Sequence, residues 1–211
     1  MNVLFEDEAI VVIDKPAGCI VHAAPGHEEG SIADELVKDR PTMARVGSVQ
    51  RPGVVHRLDQ ETSGVMVFAK TQKAYLNLRH QFEAHQTVEK RYLAVLHGAP
   101  RQKKGTLDGP VGRDHLRAIT HWLVLAKHGP IALVEFTIET GRMHQIRIHA
   151  AELGCPIVGD RLYGDSAADC RLRSKPNRLL LHAVELSFLH PITGHRVTFA
   201  APPPPDLVYA G

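Results

Sequence analysis

The sequence of 211 residues holds only three cysteines, Cys19, Cys155 and Cys170, and they lie far apart. An odd number of widely spaced cysteines supplies neither a disulfide framework nor a paired zinc motif, and favours a reducing compartment. No apolar run approaches the roughly 18 residues of a membrane-spanning helix. The acidic first eight residues do not resemble a secretory signal. These absences predict a cytoplasmic protein that is not embedded in a membrane.

Net charge is also small, +2 at pH 7, so total charge alone does not indicate a nucleic-acid-binding protein. The distribution of charge is more informative. The first 40 residues are rich in acids, whereas four later segments are locally basic, at 101–104, 113–117, 142–147 and 171–178. Such segments form either ordinary solvated loops or a cationic surface that attracts phosphate. Both interpretations stay open at this point.

Short apolar runs separated by turns predict most of the secondary structure. Strands are expected at 3–5, 10–13, 65–69, 88–96, 119–125, 131–138, 179–188 and 196–199. Helices are expected at 31–38 and 73–84, and along an apolar face formed by Met143, Ile146, Ala150 and Leu153. Strands that recur in hairpin pairs indicate an α+β fold with a mixed, mostly antiparallel sheet and flanking helices. One domain spanning 1–211 is expected.

Common catalytic and cofactor motifs are missing. The sequence contains neither GxGxxG nor GxxxxGK[ST], so no nucleotide-phosphate cradle is indicated, and it contains no GxSxG nucleophile turn. Fourteen histidines suggest metal binding, but no HExxH or comparable ligand pair occurs, and His144 and His149 do not share a helix face. We therefore predict that the protein uses no metal and no cofactor.

Polar residues at the ends of predicted elements are the remaining candidates for chemistry. Arg57 and Asp59 lie two residues apart beside a turn, and a predicted helix starts with Arg142, His144 and Arg147. His144 and Arg147 are three residues apart, so their side chains point the same way. A helix start of this kind binds phosphate, or supplies an arginine that keeps a semi-buried aspartate ionised. The same spacing also fits an Asp59 that merely caps its turn beside solvated arginines.

Several blocks of the sequence resemble one enzyme family. The segment 56–64, HRLDQETSG, resembles the H-R-L-D-x-x-[ST]-[ST]-G signature of the RluA-type pseudouridine synthases. Further blocks resemble the same family in the same order, at 15–18, 90–94, 140–149, 156–164 and 178–183. Together they span nearly the whole chain. The resemblance implies a catalytic domain with a central RNA-binding cleft, which isomerises chosen uridines in structured RNA to pseudouridine.

The resemblance also implies roles for individual residues. Asp59 would be the catalytic aspartate, and Arg147 would be its ion-pair partner. Tyr92 would stack on the target uracil, and Arg57 would enter the helical stack as the uridine leaves it. Whether the aspartate acts as a nucleophile or as a base towards the ribose stays open.

Three further residues are candidates for contacts with RNA. Arg142 and His144 are expected to bind the substrate, and Leu181 either packs against the uracil or is an ordinary core leucine. The resemblance implies that the catalytic domain starts at the first predicted strand, and the S4-type RNA-binding domain of many relatives is not expected. The expected partner is therefore one stem-loop of transfer RNA or large-subunit ribosomal RNA, bound by a monomer.

Two other functional classes stay open. A glycosidase needs two carboxylates about 5–10 Å apart, and Glu61 is the nearby candidate to act with Asp59. Such an enzyme would release free uracil. The other alternative is an RNA-binding module without catalytic activity, although the presence of Asp59, Tyr92 and Arg147 together argues against it.

Overall fold

The computed structural model describes residues 1–23, 30–112 and 114–208. The chain forms two compact units, one of Met1–Val88 with Glu185–Ala201 and the other of Glu89–Val184 with Pro202–Gly211. Arg113, which belongs to a predicted basic segment, lies outside the described residues, as does 24–29 of the predicted loop 15–30. The expectation of one catalytic domain over 1–211 stays a prediction.

The first unit is built on a buried strand pair. Its elements before residue 88 are β1 (Asn2–Glu6), β2 (Ile10–Lys15), α1 (Ile32–Asp39), a 3₁₀ helix (Pro41–Arg45), β3 (Gly47–Ser48), β4 (Arg51–Pro52), β5 (Ser63–Ala69) and α2 (Gln72–Ala84). Strand β2 pairs antiparallel with β1 and with β5. Every residue of β5 is buried. Since successive strand residues point to opposite faces, both faces of β5 are covered.

Side-chain caps fix the starts of the two helices in this unit. At α1, Ser31 Oγ accepts a hydrogen bond from Asp34 N at 3.2 Å, and the Asp34 carboxylate accepts one from Ser31 N at 3.0 Å. At α2, Thr71 Oγ1 accepts from Ala74 N at 3.2 Å. Caps of this kind satisfy backbone N–H groups that have no partner within the helix. Both helices begin within one residue of their predicted starts.

The second unit contains an antiparallel sheet. Its elements are β6 (Glu89–His97), β7 (Lys104–Val111), β8 (Leu116–His128), β9 (Ile131–Ile138), α3 (Gln145–Glu152), α4 (Ser166–Arg171) and α5 (Pro205–Val208). Strand β9 pairs with β6 and β8, and β8 pairs with β7, all antiparallel. The first four residues of β10 (Leu181–Leu189) belong to this unit. The others belong to the first unit, where β10 pairs antiparallel with β11 (Arg196–Ala200).

The predicted α+β class, with a mixed, mostly antiparallel sheet and flanking helices, is confirmed. Six elements of the described residues were not predicted, namely the 3₁₀ helix, β3, β4, β7, α4 and α5. Strand β7 contains two glycines and Pro110, which lower strand propensity but are tolerated in a strand that pairs with β8 alone. Helix α4 is only six residues long and is capped by Asp165.

The start of α3 also differs from the expectation. His144 adopts a left-handed conformation with φ of 56°, and the helix begins at Gln145. Met143 therefore precedes the helix, and it is 63% exposed. The prediction that Met143 joins the apolar helix face was wrong, because the chain turns at His144. Arg142 and His144 consequently lie in the loop that leads into the helix and not in its first turn.

A close backbone approach makes Gly159 a sensitive position. Its φ is +76°, and a Cβ atom there would lie 1.9 Å from the carbonyl oxygen of Arg178. Gly154 has a similar φ of +71°, but a Cβ there would meet nothing within 4 Å. An alanine at either position would therefore have the same backbone strain, but only at position 159 would its Cβ atom collide with the backbone.

We expect Gly159→Ala to lower the free energy of unfolding by about 3–5 kcal/mol, because it adds a backbone collision to left-handed strain. Gly154→Ala, the matched control, should lower it by about 1 kcal/mol from strain alone. Urea denaturation of both variants measures the difference. Equal losses would show that the backbone near Arg178 moves aside without penalty.

Candidate functional site

The loop between β4 and β5 carries Asp59, and it is fixed on one side by a buried ammonium group. Lys15 is fully buried, and its Nζ donates hydrogen bonds to the carbonyl oxygens of Gln60 at 2.9 Å and Pro16 at 2.8 Å. Gly18 N donates to the Gln60 carbonyl at 2.9 Å, and Gln60 Nε2 donates to the Gly18 carbonyl at 3.0 Å. The block 15–18 therefore anchors the chain one residue after Asp59.

His56 anchors the same loop on its other side. Its Nε2 accepts a hydrogen bond from Val67 N at 3.2 Å, and its ring stacks on Phe82 with centroids 4.4 Å apart. Because Nε2 accepts, the neutral ring carries its proton on Nδ1. Leu58 is also buried, at 6% exposure. The residues before Asp59 are thus held against β5 and α2.

Between these anchors, Asp59 is half-buried and Arg57 is exposed. The Asp59 carbonyl accepts a hydrogen bond from Thr62 N at 3.1 Å, which closes the turn. Burial lowers the pKa of His22, and the charges of Arg51 and Arg57 lower it further. Arg51 and Arg57 therefore place positive charge near His22.

In the second unit, Arg147 of α3 forms a two-pronged ion pair with Asp160. Arg147 Nε and Nη2 each lie 2.8 Å from one Asp160 carboxylate oxygen. Asp160 Oδ1 also accepts from Leu162 N at 2.9 Å and Tyr163 N at 3.0 Å. Burial acts to raise the pKa of Asp160, but the Arg147 guanidinium and the two backbone N–H groups outweigh it and lower that pKa. The carboxylate is ionised and fixes the arginine in one orientation.

Tyr163 connects the predicted residues of this unit. The Arg147 guanidinium lies over the Tyr163 ring, 5.2 Å from its centroid. His144 Nδ1 lies 3.1 Å from the Tyr163 hydroxyl, and the two rings meet edge-on. His144 and Arg147 therefore contact the same aromatic ring, although His144 lies before the helix and not in it. Arg142 is held separately, with Nε donating to the Arg117 carbonyl at 3.2 Å.

Two predicted substrate-binding residues are buried in strands of this unit. Tyr92, in β6, is 8% exposed, and Leu181, at the start of β10, is 3% exposed. Lys90 lies two residues before Tyr92 and so on the same face of β6. Its Nζ donates to the Thr140 carbonyl at 3.2 Å. Burial, aided by the charge of Arg142, lowers the pKa of Lys90 to about 8.

The structure thus places Arg57 and Asp59 in the first unit. Tyr92, Arg142, His144, Arg147 and Leu181 lie in the second. An ion pair between Arg147 and Asp59 stays a prediction. Five further residues shape these sites and had no predicted role, namely Lys15, His56, Lys90, Asp160 and Tyr163. Each lies in a block that resembles the family, and that was the available signal.

The described ranges contain neither a metal-binding cluster nor a membrane-spanning helix. Within 1–23, 30–112 and 114–208, no three or more histidine, cysteine, aspartate or glutamate side chains are grouped so as to hold a metal ion. Among the helices of the same ranges, none is both long and apolar enough to cross a bilayer.

Comparison with known proteins gives consistent matches. The family model described as RNA pseudouridylate synthase matches residues 9–152. An uncharacterized RNA pseudouridine synthase of Synechocystis sp. is 40% identical over 220 residues, which cover 97% of this chain and 66% of the relative. The ribosomal large subunit pseudouridine synthase D of Xanthomonas campestris is 41% identical over 227 residues, covering 98% and 67%. The chain spans about two thirds of the length of these relatives.

A solved structure also matches over nearly the whole chain. The human protein RNA pseudouridylate synthase domain containing 4 superposes with a TM-score of 0.81 at 28% sequence identity. The match covers 99% of this chain and 91% of the human chain.

The pair of Arg147 and Asp160 predicts a pH-dependent stability. An aspartate whose pKa falls on folding adds stability above its unfolded pKa of about 3.9, and this is lost as the pH falls through the folded value. Asp160→Asn should therefore lower the unfolding free energy at pH 7, by about 3–5 kcal/mol, since it removes the negative charge from a buried ion pair. The difference from the parent chain should shrink below about pH 4.

Urea denaturation between pH 3.5 and 7 tests this dependence. Asp108→Asn is the control, because Asp108 pairs with Arg117 on the surface and solvent screens such pairs. The control should change stability little at any pH. A loss in Asp160→Asn that is the same at pH 3.5 and pH 7 would contradict the assignment.

Proposed function

Because the chain belongs to the RNA pseudouridylate synthase family, we propose that it isomerises chosen uridines of a structured RNA to pseudouridine. In this reaction the N1–C1′ bond breaks, the uracil turns in place and a C5–C1′ bond forms. The hydrogen at C5 leaves as a proton, and N1 takes up a proton, so that the product is an isomer of the substrate. The observation that carries the proposal is the family match together with a half-buried Asp59 in a loop anchored at His56 and Gln60.

Asp59 is proposed as the catalytic carboxylate. As a nucleophile it would attack C1′, and as a base it would take a proton from the ribose; either role requires the ionised form. Anchors on both sides of the residue limit how far the carboxylate moves, and a fixed orientation lowers the entropic part of a barrier. The buried Lys15 and the stacked His56 would therefore act as positioning residues.

Arg147 is proposed to pair with Asp59 during the reaction. Its Nε and one Nη2 hydrogen bind Asp160, and the pairing with Asp59 is assigned to the other N–H groups of the guanidinium. A guanidinium is suited to this because its donors lie in one plane and are always charged. Asp160 and Tyr163 would then hold the arginine in place, and the arginine would hold the catalytic aspartate.

The remaining residues are proposed to bind the uridine after it has left the helical stack, and to contact the RNA around it. A base inside a helix cannot be reached, so the nucleotide must be turned out and held. Tyr92 is proposed to stack on the uracil with Leu181 beside it, while Arg57 occupies the vacated place. Arg142 and His144 would contact the RNA backbone, for which charged and polar side chains are suited.

The RNA itself is proposed to be large-subunit ribosomal RNA, transfer RNA or both. The ribosomal alternative is supported by the name of the Xanthomonas relative, a ribosomal large subunit pseudouridine synthase. We further propose that the protein acts as a monomer in the cytoplasm, which the few and scattered cysteines support. Neither a metal nor a cofactor is part of the proposed reaction, since the isomerisation needs neither electron transfer nor a Lewis acid.

Asp59→Asn should lower turnover at least about a thousandfold, because it removes the charge on which either role depends. The affinity for RNA should change only several-fold, since size and hydrogen bonding are kept. Tritium release from RNA labelled at C5 of uridine measures turnover, and fluorescence anisotropy measures binding.

The matched control is Glu61→Gln, which removes the other carboxylate of the loop and should leave turnover nearly unchanged. Substantial turnover by the Asp59 variant would disprove its assignment. Release of free uracil by the parent chain, together with loss of activity in Glu61→Gln, would indicate a glycosidase instead.

Arg147→Lys should lower turnover about 10–100-fold at saturating RNA, because lysine keeps the charge but cannot form a planar two-pronged contact. Asp160→Asn should lower turnover by a similar factor if it orients Arg147. Arg79→Lys is the control, since Arg79 forms an exposed pair with Glu83 within α2. Equal activity of Arg147→Lys and the control would exclude a special role for the guanidinium.

A stem-loop of about 15–20 nucleotides that carries the target uridine should be a sufficient substrate, since specific recognition of RNA targets loops whose bases can be splayed out. Turnover on this hairpin, on full-length transfer RNA and on ribosomal particles can be compared directly. Modification of the particle but of no hairpin that contains the mapped site would show that recognition needs the assembly.

A further inference from the structure

A cavity of about 820 Å³ lies in the second unit. It is bordered by the turn between β8 and β9, by the segment 171–177 and by the start of α5. Its volume falls within the range of about 300–1,000 Å³ that is typical of small-molecule sites. None of the residues assigned to the reaction lines it.

The floor of the cavity is apolar. Ile131, Val158 and Leu180 line it, and they are 5%, 1% and 4% exposed. They belong to an apolar cluster that also contains Val95 and Leu207. Apolar surface of this kind is stabilised by contact with a flat, weakly hydrated group.

The rim of the cavity is cationic. Arg171, Arg173 and Lys175 line it and are exposed. Within the described ranges, none of these three side chains forms an ion pair with a carboxylate. The acidic residue of the lining is Asp206, and both of its oxygens bind Arg178, each at 2.6 Å. The cavity mouth therefore carries an excess of positive charge.

The rim is also held in place at both of its ends. Before it, Asp169 of α4 binds His97 Nε2 at 2.7 Å and Gly159 N at 3.1 Å. After it, Arg178 binds Asp206, and its Nη1 donates to the Leu179 carbonyl at 3.0 Å. A rim fixed at both ends loses little entropy when a ligand binds.

We propose that this cavity binds an unpaired nucleotide of the substrate RNA, outside the reaction centre. A nucleotide combines a flat base, which suits the apolar floor, with a phosphate, which suits the cationic rim. Guanidinium planes stack on unpaired bases, and Asn177, which also lines the cavity, offers an amide donor and acceptor to a base edge. The inference rests on the proposed action on RNA and extends it to a second contact point.

Other occupants fit less well. A bare phosphate or sulfate would engage the rim but leave the apolar floor in contact with water. An acidic peptide would also bind the rim through carboxylates, but it offers no planar group for the floor. The combination of the two surfaces is what favours a nucleotide.

The double variant Arg173→Ala, Lys175→Ala tests the proposal in the full chain. Fluorescence anisotropy with a labelled substrate hairpin that carries a single-stranded flank should show binding weakened about tenfold at ~0.1 M salt. The slope of log affinity against log salt should become shallower by about 1, as contact with one or two phosphates is lost. The control is Lys38→Ala, Lys73→Ala, which removes the same charge from exposed positions in the first unit and should change affinity less than twofold.

A photocrosslink locates the contact. The same RNA with 4-thiouridine in its flank should crosslink within 171–178, and an excess of short oligouridylate should suppress the crosslink. If free uridine monophosphate suppresses the crosslink at the same concentration as oligouridylate, the cavity is a site for a free nucleotide. If polyglutamate suppresses it as well as oligouridylate does, the cavity is a general polyanion surface. Either result overturns the proposal.

Turnover by the parent chain, measured in parallel, separates this proposal from the catalytic one. If the parent chain modifies the RNA but the double variant binds no worse than the control, the nucleotide site is wrong and the proposed activity stands. If the parent chain is inactive on every RNA, while the variant loses affinity and the crosslink forms, the nucleotide site stands and the activity is wrong.

Discussion

A carboxylate as deeply buried as that of Asp160 must either be neutralised or be given partners for its oxygens. Here it is given four: two N–H groups of Arg147 and the backbone N–H groups of Leu162 and Tyr163. These contacts fix the rotamer of Arg147 on α3 and the course of the turn that starts at Asp160, 13 residues later. Gly164 is part of the same arrangement, since a Cβ there would lie 2.1 Å from the Asp160 carbonyl oxygen.

The first unit also contains a buried charged group, but there the charge is positive. The ammonium group of Lys15 is fully buried and donates to two backbone carbonyls, one of them at Gln60. A buried donor binds its acceptors strongly because water does not compete. In both units the buried charge is placed beside a loop or helix that bears a functional candidate, Asp59 in one and Arg147 in the other. Stability and the positioning of the site therefore depend on the same groups.

Local sequence patterns predicted the elements that depend mainly on residues near one another in the chain. The strand pairs, α1 and α2 follow from apolar periodicity and from caps such as Ser31 and Thr71. What local patterns missed depends on partners distant in the chain. Strand β7 exists because β8 pairs with it along its whole length, and its glycines and Pro110 argue against a strand when viewed alone.

The candidate site shows the same division. Their positions at the ends of predicted elements made Arg57, Asp59 and Arg147 candidates, but spacing alone favoured an ordinary capped turn, and only the family resemblance gave them roles. No spacing rule connects Lys15 with Gln60, which are 45 residues apart, or Arg147 with Asp160. Those contacts arise only when the sheet brings the segments together. The roles of these residues in the reaction rest on the resemblance and on the experiments proposed above.

The net charge of +2 does not describe how the charged side chains are paired. Many acidic groups are bound by cations of the protein itself: Arg40 and Lys70 hold the pKa of Glu6 at about 2, and Arg178 binds Asp206. A carboxylate bound in this way no longer opposes an incoming phosphate at full strength. The potential that an anionic ligand meets is therefore set by cations outside such pairs, for example Arg171, Arg173 and Lys175 within the described part of the chain. Since phosphate binding responds to local potential and not to total charge, a nearly neutral protein of this kind can have strongly electropositive surfaces.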